Sequence, residues 1–506
     1  MPPEELLAEN STLKETLAQR ERENSELKTD LKLAEFKIKD LQKRLYGKKT
    51  ERHVPAELDQ PGLGLEEPAV VTEQEAREDP VKTLSRPRQP RQPLPEKLER
   101  IETRLEPEEK TCPACGQARR EIGQEVTEEF ELIPARFVVR RIVRPKMACS
   151  CGCSGVVIAP LPARVVEKGN AGAGLLAQVV LSKYVDHCPL ARQSDIFRNR
   201  YGVVISRQRL CDWVEAVATW LQPIYRQMKA ELMAGDILHA DETPVKILDP
   251  DHPSHIRQGY LWTYSRPGED VIFVCHTGRG QEHPHEDLAD FTGWLQCDAY
   301  QVYPALAKKR PPEHPLRLQG CWAHVRRKVI EAQEDRPRAA EPALKLIRQL
   351  YQIEREARER EPKIATEELA AQRQKQAPPI MDALKTTFED WRKTELPEGP
   401  LGKAARYALN QWEALQHYLK DGRLSIDNND VERSIRRPAM GRRSWLFIGH
   451  PDAGWRSAVI YSIVGSCRRR GIEPGAYLAD VLRRIPAMKA SEVKDLVPAR
   501  WKPPSS

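Results

Sequence analysis

Apolar side chains near the start of the chain fall into two interleaved seams, each repeating every seven positions. One seam carries Leu6, Leu13, Arg20, Leu27, Ala34 and Leu41. The other carries Asn10, Leu17, Asn24, Leu31, Ile38 and Leu45. Neither Gly nor Pro interrupts residues 5–46, and charged residues fill the flanks. Two apolar positions in seven mark a coiled coil, and asparagine in the seam favours a parallel, in-register pair. The pattern predicts a leucine zipper over residues 1–50 that joins two copies of the chain. A single solvated helix is the competing arrangement, but so narrow a stripe buries poorly against a globular core.

The periodicity then lapses. Residues 51–95 are Pro-rich, charged and poor in aromatic residues, which suits a linker with too little apolar surface to fold. Residues 96–165 alternate in a two-residue period through EVTEEFELIPARFVVRRIVRP, which predicts paired strands. Over 166–233 the period becomes helical in LLAQVVLSKYVDH, PLARQSDIFRNRY and RQRLCDWVEAVATWLQPIYRQM, with a turn at Gly202 and a helix cap at Ser206. Helix, helix, Gly turn and capped helix make a helix-turn-helix pattern, although any three-helix unit reads similarly. Arg207 and Arg209 open the last helix, where a major groove could be read.

From residue 234 short apolar runs predict strands in DILHAD, GYLWTYS, DVIFVCH, WLQCD and LQGCWAH, with a helix at HEDLADF. Three strands in a meander, a helix, then strand and helix is the ribonuclease-H-like order, in which the first and fourth strands are neighbours. Asp241 and Asp298 are then expected at the ends of adjacent strands, with Glu242 facing the other way. Residues 325–423 turn helical and highly charged, an all-helical insertion within a catalytic domain spanning 234–465. SWLFIGH reads as a strand, WRSAVIYSIVGSCRRRG as an amphipathic helix, and 466–506 as C-terminal helices and a polar tail. The expected fold is multidomain α/β.

Composition narrows the chemistry. Lys+Arg 81 against Asp+Glu 74 gives a net charge of +7, and arginines cluster at 136–144, 433–443 and 468–470. No run is long and apolar enough to span a membrane, and the charged N-terminus lacks a signal-peptide core, so a cytoplasmic protein is expected. Eleven cysteines, five of them clustered, suit a reducing compartment and a metal site. Cys112 and Cys115 form a CPACG knuckle, and Cys149, Cys151 and Cys153 follow at unusual spacings. Four of these five are expected to hold one structural zinc in a ribbon. Cys321 and His324 offer two further ligand types, but two ligands do not close a site.

IDNNDVERSIRR, residues 426–437, concentrates acids, amides and arginines in a few helical turns. With Asp241 and Asp298, Glu432 completes three carboxylates. A polynucleotide phosphoryl-transfer enzyme uses such a set to hold two magnesium ions roughly 3.5–4 Å apart. Asp427 is placed to cap the helix, while Asp430 projects about 200° away from Glu432, towards Arg433. Arg433, Arg436, Arg437, Arg442 and Arg443 are the candidate contacts to a DNA backbone.

RLYGKKTER after the zipper, CPACG, LSKYVDHCPLARQ, HADETPVKI, LQCDAY, GCWAHVRRK, IDNNDVERSIRR, SWLFIGH and EPGAYL stand in this order along residues 1–485. In these pieces the chain resembles the transposases of the insertion sequence 66 family of bacterial mobile elements. The resemblance implies a DDE enzyme with a ribonuclease-H-like core, in which Asp241, Asp298 and Glu432 fall on the catalytic acids. It puts Cys321 and His324 on a CxxH-type signature. It further implies binding to the terminal inverted repeats, magnesium-dependent cleavage and strand transfer, work at the bacterial nucleoid, and small accessory proteins of the same element as partners. CSCGC departs from the CxxC expected for the second zinc half-site. A structure-specific nuclease of the same fold and a non-enzymatic DNA-binding regulator are the alternatives.

Overall fold

A computed structural model describes residues 20, 137–144, 146–147, 157–167, 169–360 and 364–503. The chain divides into two compact units, 1–89 and 90–506. In the first, Arg20 alone is described, and it is helical. The zipper, the linker and the five clustered cysteines therefore lie outside the described residues.

Strands β1 (Lys146–Met147) and β2 (Val157–Ile158) pair antiparallel on either side of the Cys149–Cys153 segment. Residues 137–144 carry no strand, contrary to the alternation in the sequence. Val138, Val139, Ile142 and Val143 are exposed; with no sheet beneath them among the described residues, alternation alone does not make a strand. Phe137 is tied down, edge-on to Phe197 and Tyr201 at 5.2 Å each, and Arg144 donates to the Ala159 carbonyl at 2.9 Å.

Three helices follow: α1 (Ala173–Tyr184), α2 (Leu190–Tyr201) and α3 (Arg207–Met233). Gly202 ends α2 at φ 67°, a conformation that favours glycine. The Ser206 hydroxyl then accepts the Arg209 N–H at 3.3 Å and starts α3. Leu210, Trp213, Val217, Leu221, Ile224 and Met228 recur at three- and four-residue intervals and are buried. Further along, Tyr225 donates to the Phe273 carbonyl and Lys229 pairs with Asp287, so α3 is bonded directly to the sheet region.

The sheet has five strands: β3 (Ile237–Leu248), β4 (Ile256–Ser265), β5 (Val271–His276), β6 (Gly293–Gln296) and β7 (Leu316–Gln319). Its order is β5-β4-β3-β6-β7, antiparallel from β3 to β5 and parallel from β3 to β7. The first and fourth of these strands are neighbours, as the sequence predicts. Two expectations fail. Strand β3 does not end at Asp241, because β4 accompanies it from His239 to Leu248. LQGCWAH is strand only to Gln319; Cys321 is already the N-cap of the next helix. Gly293 opens β6 at φ 141°, where a Cβ would lie 2.2 Å from the Asp236 carbonyl oxygen. Short helices α4 (Glu282–Asp287) and α5 (Val302–Lys309) fill the connections between strands.

Between β7 and the last helices comes a helical bundle: α6 (Trp322–Asp335), α7 (Pro337–Glu359), α8 (Thr366–Gln376), α9 (Pro378–Thr394), α10 (Pro400–Asn410) and α11 (Trp412–Gln416). It has a core of its own, with Trp322, Ile347, Leu384, Phe388 and Ala405 fully buried. A larger core joins α1–α3, most of the sheet and the C-terminal helices, from Val165 to Val497.

The chain returns through α12 (Asn429–Trp445), α13 (Gly454–Arg469) and α14 (Pro474–Arg484). SWLFIGH is not a strand: Ser444 and Trp445 finish α12, Leu446 turns at φ 67°, and Ile448 alone bridges to Ile247. Nor is α13 amphipathic in place, since Ala458 to Val464 are all buried. It covers the edge strand, and its Ser462 and Ser466 hydroxyls accept the N–H groups of Phe273 and Val271 at 2.8 and 3.0 Å. Main-chain donors that an open edge would leave bare are thereby satisfied. Among the described residues no helix is long and apolar enough to cross a membrane.

Candidate active site

Strand register sets the first two acids. His239 pairs with Gln296; two residues on, Asp241 lies within β3 and Asp298 just past the end of β6. Beyond Gln296 strand β6 leaves the sheet, so both side chains come level where the parallel pairing opens. Asp298 is anchored by the Tyr300 N–H, which donates to its Oδ1 at 2.9 Å, and Asp241 by the Glu242 N–H at 2.9 Å.

The third acid arrives on α12. Asn428 joins the pieces: its Nδ2 donates to the Ala240 carbonyl at 2.8 Å, its N–H donates to the Cys321 sulfur at 3.2 Å, and its carbonyl accepts the Glu432 N–H at 3.2 Å. Glu432 is buried. Arg327 donates to its Oε2 at 3.3 Å, and His324 Nδ1 stands 3.6 Å from its Oε1.

Electrostatics tie the three together. The Asp241 carboxyl is pushed well above the usual carboxylate range, first by burial, then by the charges of Glu242, Glu432 and Asp298. Its neighbour Glu242 stands opposite Trp262 rather than Thr263, hence on the other face of the sheet, as expected. There Arg279 pairs with it at 2.5 Å and lies 3.9 Å from the Tyr300 ring centre. Burial and the Asp298 charge still push the Glu242 carboxyl up. On the Asp241 face, two residues back, His239 is fully buried, and burial lowers its pKa to about 4, which keeps it neutral.

The other acids of IDNNDVERSIRR are engaged elsewhere. Asp427 Oδ1 accepts the Asn429 N–H at 3.1 Å, at the start of the helix. Asp430 binds Arg433 at 3.3 Å, as the sequence suggests, and also Arg469 at 2.6 Å. Arg469 is largely buried and donates in addition to the carbonyls of Glu269 and Arg266, so this is an internal clasp rather than a surface pair.

A family model described as "Transposase IS66 family" matches residues 168–456. The chain belongs to this family. A zinc-finger binding domain of IS66 transposases matches 109–152, taking in Cys112, Cys115, Cys149 and Cys151 and stopping short of Cys153. An IS66 C-terminal element matches 462–499, and a model described as "Transposase C of IS166 homeodomain" matches 34–103. Similar relatives come from Sinorhizobium fredii. The uncharacterised protein y4jD is 34% identical over 423 residues, 81% of each chain. The uncharacterised protein y4hP is 33% identical over 498 residues, 92% of this chain and 88% of its own.

Not every arginine that the sequence offers to DNA is free to meet it. Arg433, Arg436 and Arg443 are exposed on α12 and Arg437 is half-buried. Arg442 is turned inward, donating to the Pro244 carbonyl and, at 3.5 Å, to the Thr243 hydroxyl. Arg207 and Arg209 stand exposed on the first turn of α3. Arg327 and Arg279 join the site without a motif of their own. Arg327 follows His324 by one helical turn on α6, a spacing visible in the sequence; Arg279 meets Glu242 only through the fold.

Proposed function

We propose that this transposase is a DDE enzyme with a ribonuclease-H-like catalytic core, in which Asp241, Asp298 and Glu432 hold two magnesium ions. The observation that carries the reading is the convergence of these carboxylates from two adjacent parallel strands and a helix, with mutual repulsion that a cation would relieve. Hard oxygen donors of this kind suit magnesium. When bound, the ions would supply an activated attacking oxygen and charge neutralisation at the leaving one. The chain's own residues position the carboxylates. Asn428 fixes α12 against β3, Arg327 orients Glu432, and Tyr300 fixes Asp298.

The reaction is hydrolysis of a phosphodiester at the element end, which frees a 3′-hydroxyl. That hydroxyl then attacks a target phosphodiester by in-line displacement. Exposed Arg433, Arg436 and Arg443 support a role on the DNA backbone, with Arg437 beside them. A zipper over 1–50 pairs two chains so that two ends meet, and a linker over 51–95 leads to a zinc ribbon over 96–165. Helices over 166–233 present Arg207 and Arg209 to the terminal inverted repeats. The catalytic domain spans 234–465 around its helical insertion, and 466–506 close the fold.

The test is Glu432→Gln, Asp430→Asn and Asp427→Asn, each assayed for magnesium-dependent nicking and strand transfer on element-end DNA. Glu432→Gln should lose about three orders of magnitude or more. Asp430→Asn should retain nicking once folded. An active Glu432→Gln enzyme beside a folded but inactive Asp430→Asn enzyme would refute the assignment.

A further inference from the structure

Two metal-ligand types in the sequence, Cys321 and His324, lack a third partner there. The fold supplies it. Cys321 caps α6 and His324 follows one turn later, so both face the first turn of α12. Cys321 Sγ, a ring nitrogen of His324 and a carboxylate oxygen of Glu432 all lie within 4.8 Å of one another. His324 Nδ1 and Glu432 Oε1 are 3.6 Å apart. Zinc bonds to N, O and S at tetrahedral angles put ligand atoms about 3.3–3.6 Å apart; the His324–Glu432 pair already has that spacing, and the sulfur lies within 4.8 Å of both.

Two further observations point the same way. His324 Nδ1 and Glu432 Oε1 are both buried without a hydrogen-bond partner. Orphaned buried polar atoms are uncommon, and one explanation is an ion between them. The Cys321 sulfur, for its part, accepts the main-chain N–H of Asn428 at 3.2 Å. Burial, with the Asp427 and Glu432 charges, pushes the Cys321 thiol well up, so it is a bound cation that makes it a thiolate ligand.

We propose that Cys321, His324 and Glu432 form a three-ligand seat for one zinc-class cation, with a water in the fourth position. Thiolate and imidazole select zinc or cobalt over magnesium. On binding, the Cys321 thiol proton leaves to solvent, and sulfur, Nδ1 and Oε1 each donate a lone pair. Occupation takes Oε1 of Glu432 away from the carboxylate cluster, so the zinc-class cation switches DNA cleavage off. This second half rests on the reading of Glu432 as a magnesium ligand; the seat itself does not.

The experiment titrates cobalt(II) into the full-length chain already loaded with zinc at its finger, and reads thiolate-to-cobalt charge-transfer absorption alongside the metal count. Wild type should take one cobalt with a charge-transfer band. Cys321→Ser should lose the band, and His324→Gln, a milder change at a part-exposed side chain, should weaken binding about a hundredfold or more. Asp241→Asn should leave the band unchanged. No band in wild type, a band that survives in Cys321→Ser, or one that vanishes in Asp241→Asn would each overturn the seat. In nicking assays, zinc should inhibit at fixed magnesium and more magnesium should relieve it. Cobalt bound at the seat without inhibition would overturn the switch. An active Glu432→Gln enzyme would instead sink the magnesium assignment while leaving the cobalt result standing.

Discussion

Arg373 and Glu354 lie inside the helical insertion with side chains 2% and 9% exposed. Arg373 Nε and Nη2 donate to the two carboxylate oxygens, each at 2.7 Å. Its Nη1 donates to the carbonyls of Tyr418 and Asp421, at 2.7 and 3.0 Å. Those carbonyls precede the segment that carries the chain through buried Leu424 and Ile426 to Asn428 and Glu432. The pair is therefore a strut beneath the approach of Glu432. Glu354→Gln keeps the volume but leaves a buried guanidinium without its counter-charge, a loss of about 3–5 kcal/mol. Arg373→Met strands the carboxylate and strips two carbonyls of their donor, and should lose at least as much. Glu354→Leu with Arg373→Met leaves no stray charge; what remains is the pair of bare carbonyls, about 1–3 kcal/mol each. The double variant should thus fall no further than the Arg373→Met single, and set against the Glu354→Leu and Arg373→Met singles it should show a coupling energy of about 3 kcal/mol. In so large a chain the insertion can open alone. The assay is therefore hydrogen exchange at residues 418–424, run beside denaturant unfolding and magnesium-dependent nicking. A Glu354→Gln protein within about 0.5 kcal/mol of the parent, or a double variant equal to the sum of its singles, would refute the reasoning.

Two further outcomes follow from the site. The Asp241 carboxyl is held above its ordinary range in the fold. Its ionisation therefore destabilises the protein as pH rises from the ordinary carboxylate value, about 4, through the raised folded value, and the penalty persists above it. Asp241→Asn should raise the magnesium-free melting temperature at neutral pH and flatten its pH dependence; a lower melting temperature would count against the clustered acids. Arg442→Ala should lose about 1–3 kcal/mol of stability with little change in DNA affinity. Arg436→Ala should weaken DNA binding and reduce the salt slope by about 1, and equal salt slopes for the two variants would contradict the inward placement of Arg442.

The sequence disclosed elements whose signals are local. Gly202 and Ser206 mark the end of one helix and the start of the next in any context, and both stand where expected. The adjacency of β3 and β6 was legible because the order of strands and helices restricts how a sheet is wound. What failed depended on partners far away in sequence. Strand β3 runs past Asp241 because β4 pairs along its whole length. SWLFIGH has a strand's composition but finds only the Ile247 bridge. WRSAVIYSIVGSCRRRG looks amphipathic because of Ser462 and Ser466, whose hydroxyls are consumed by the edge of β5 inside the protein. Arg442 reads as a surface arginine until the Pro244 carbonyl is seen beside it. Pattern records polarity, and polarity does not say whether a group meets water or a buried partner.

The choice among the three acids of IDNNDVERSIRR turns on that same distinction. Proximity does not choose, and helical spacing alone says only that Asp430 and Glu432 face different ways. What each carboxylate already does is more informative. Asp427 is occupied by the Asn429 N–H, and burial raises its carboxyl against that bond. Asp430 is clasped by Arg469, which is itself bound to two main-chain carbonyls, so freeing it would dismantle the contact between α12 and the β4–β5 turn. Glu432 is different: it is buried, its charge is felt by Asp241, and its Oε1 has no hydrogen-bond partner. Burying a carboxylate oxygen without a partner is costly unless something else completes it. Under the proposed function a cation completes this buried carboxylate, and Arg327 and Asn428 hold Glu432 in place for it. That is the physical argument for Glu432 as the third acid, and it does not depend on how the motif is spelled.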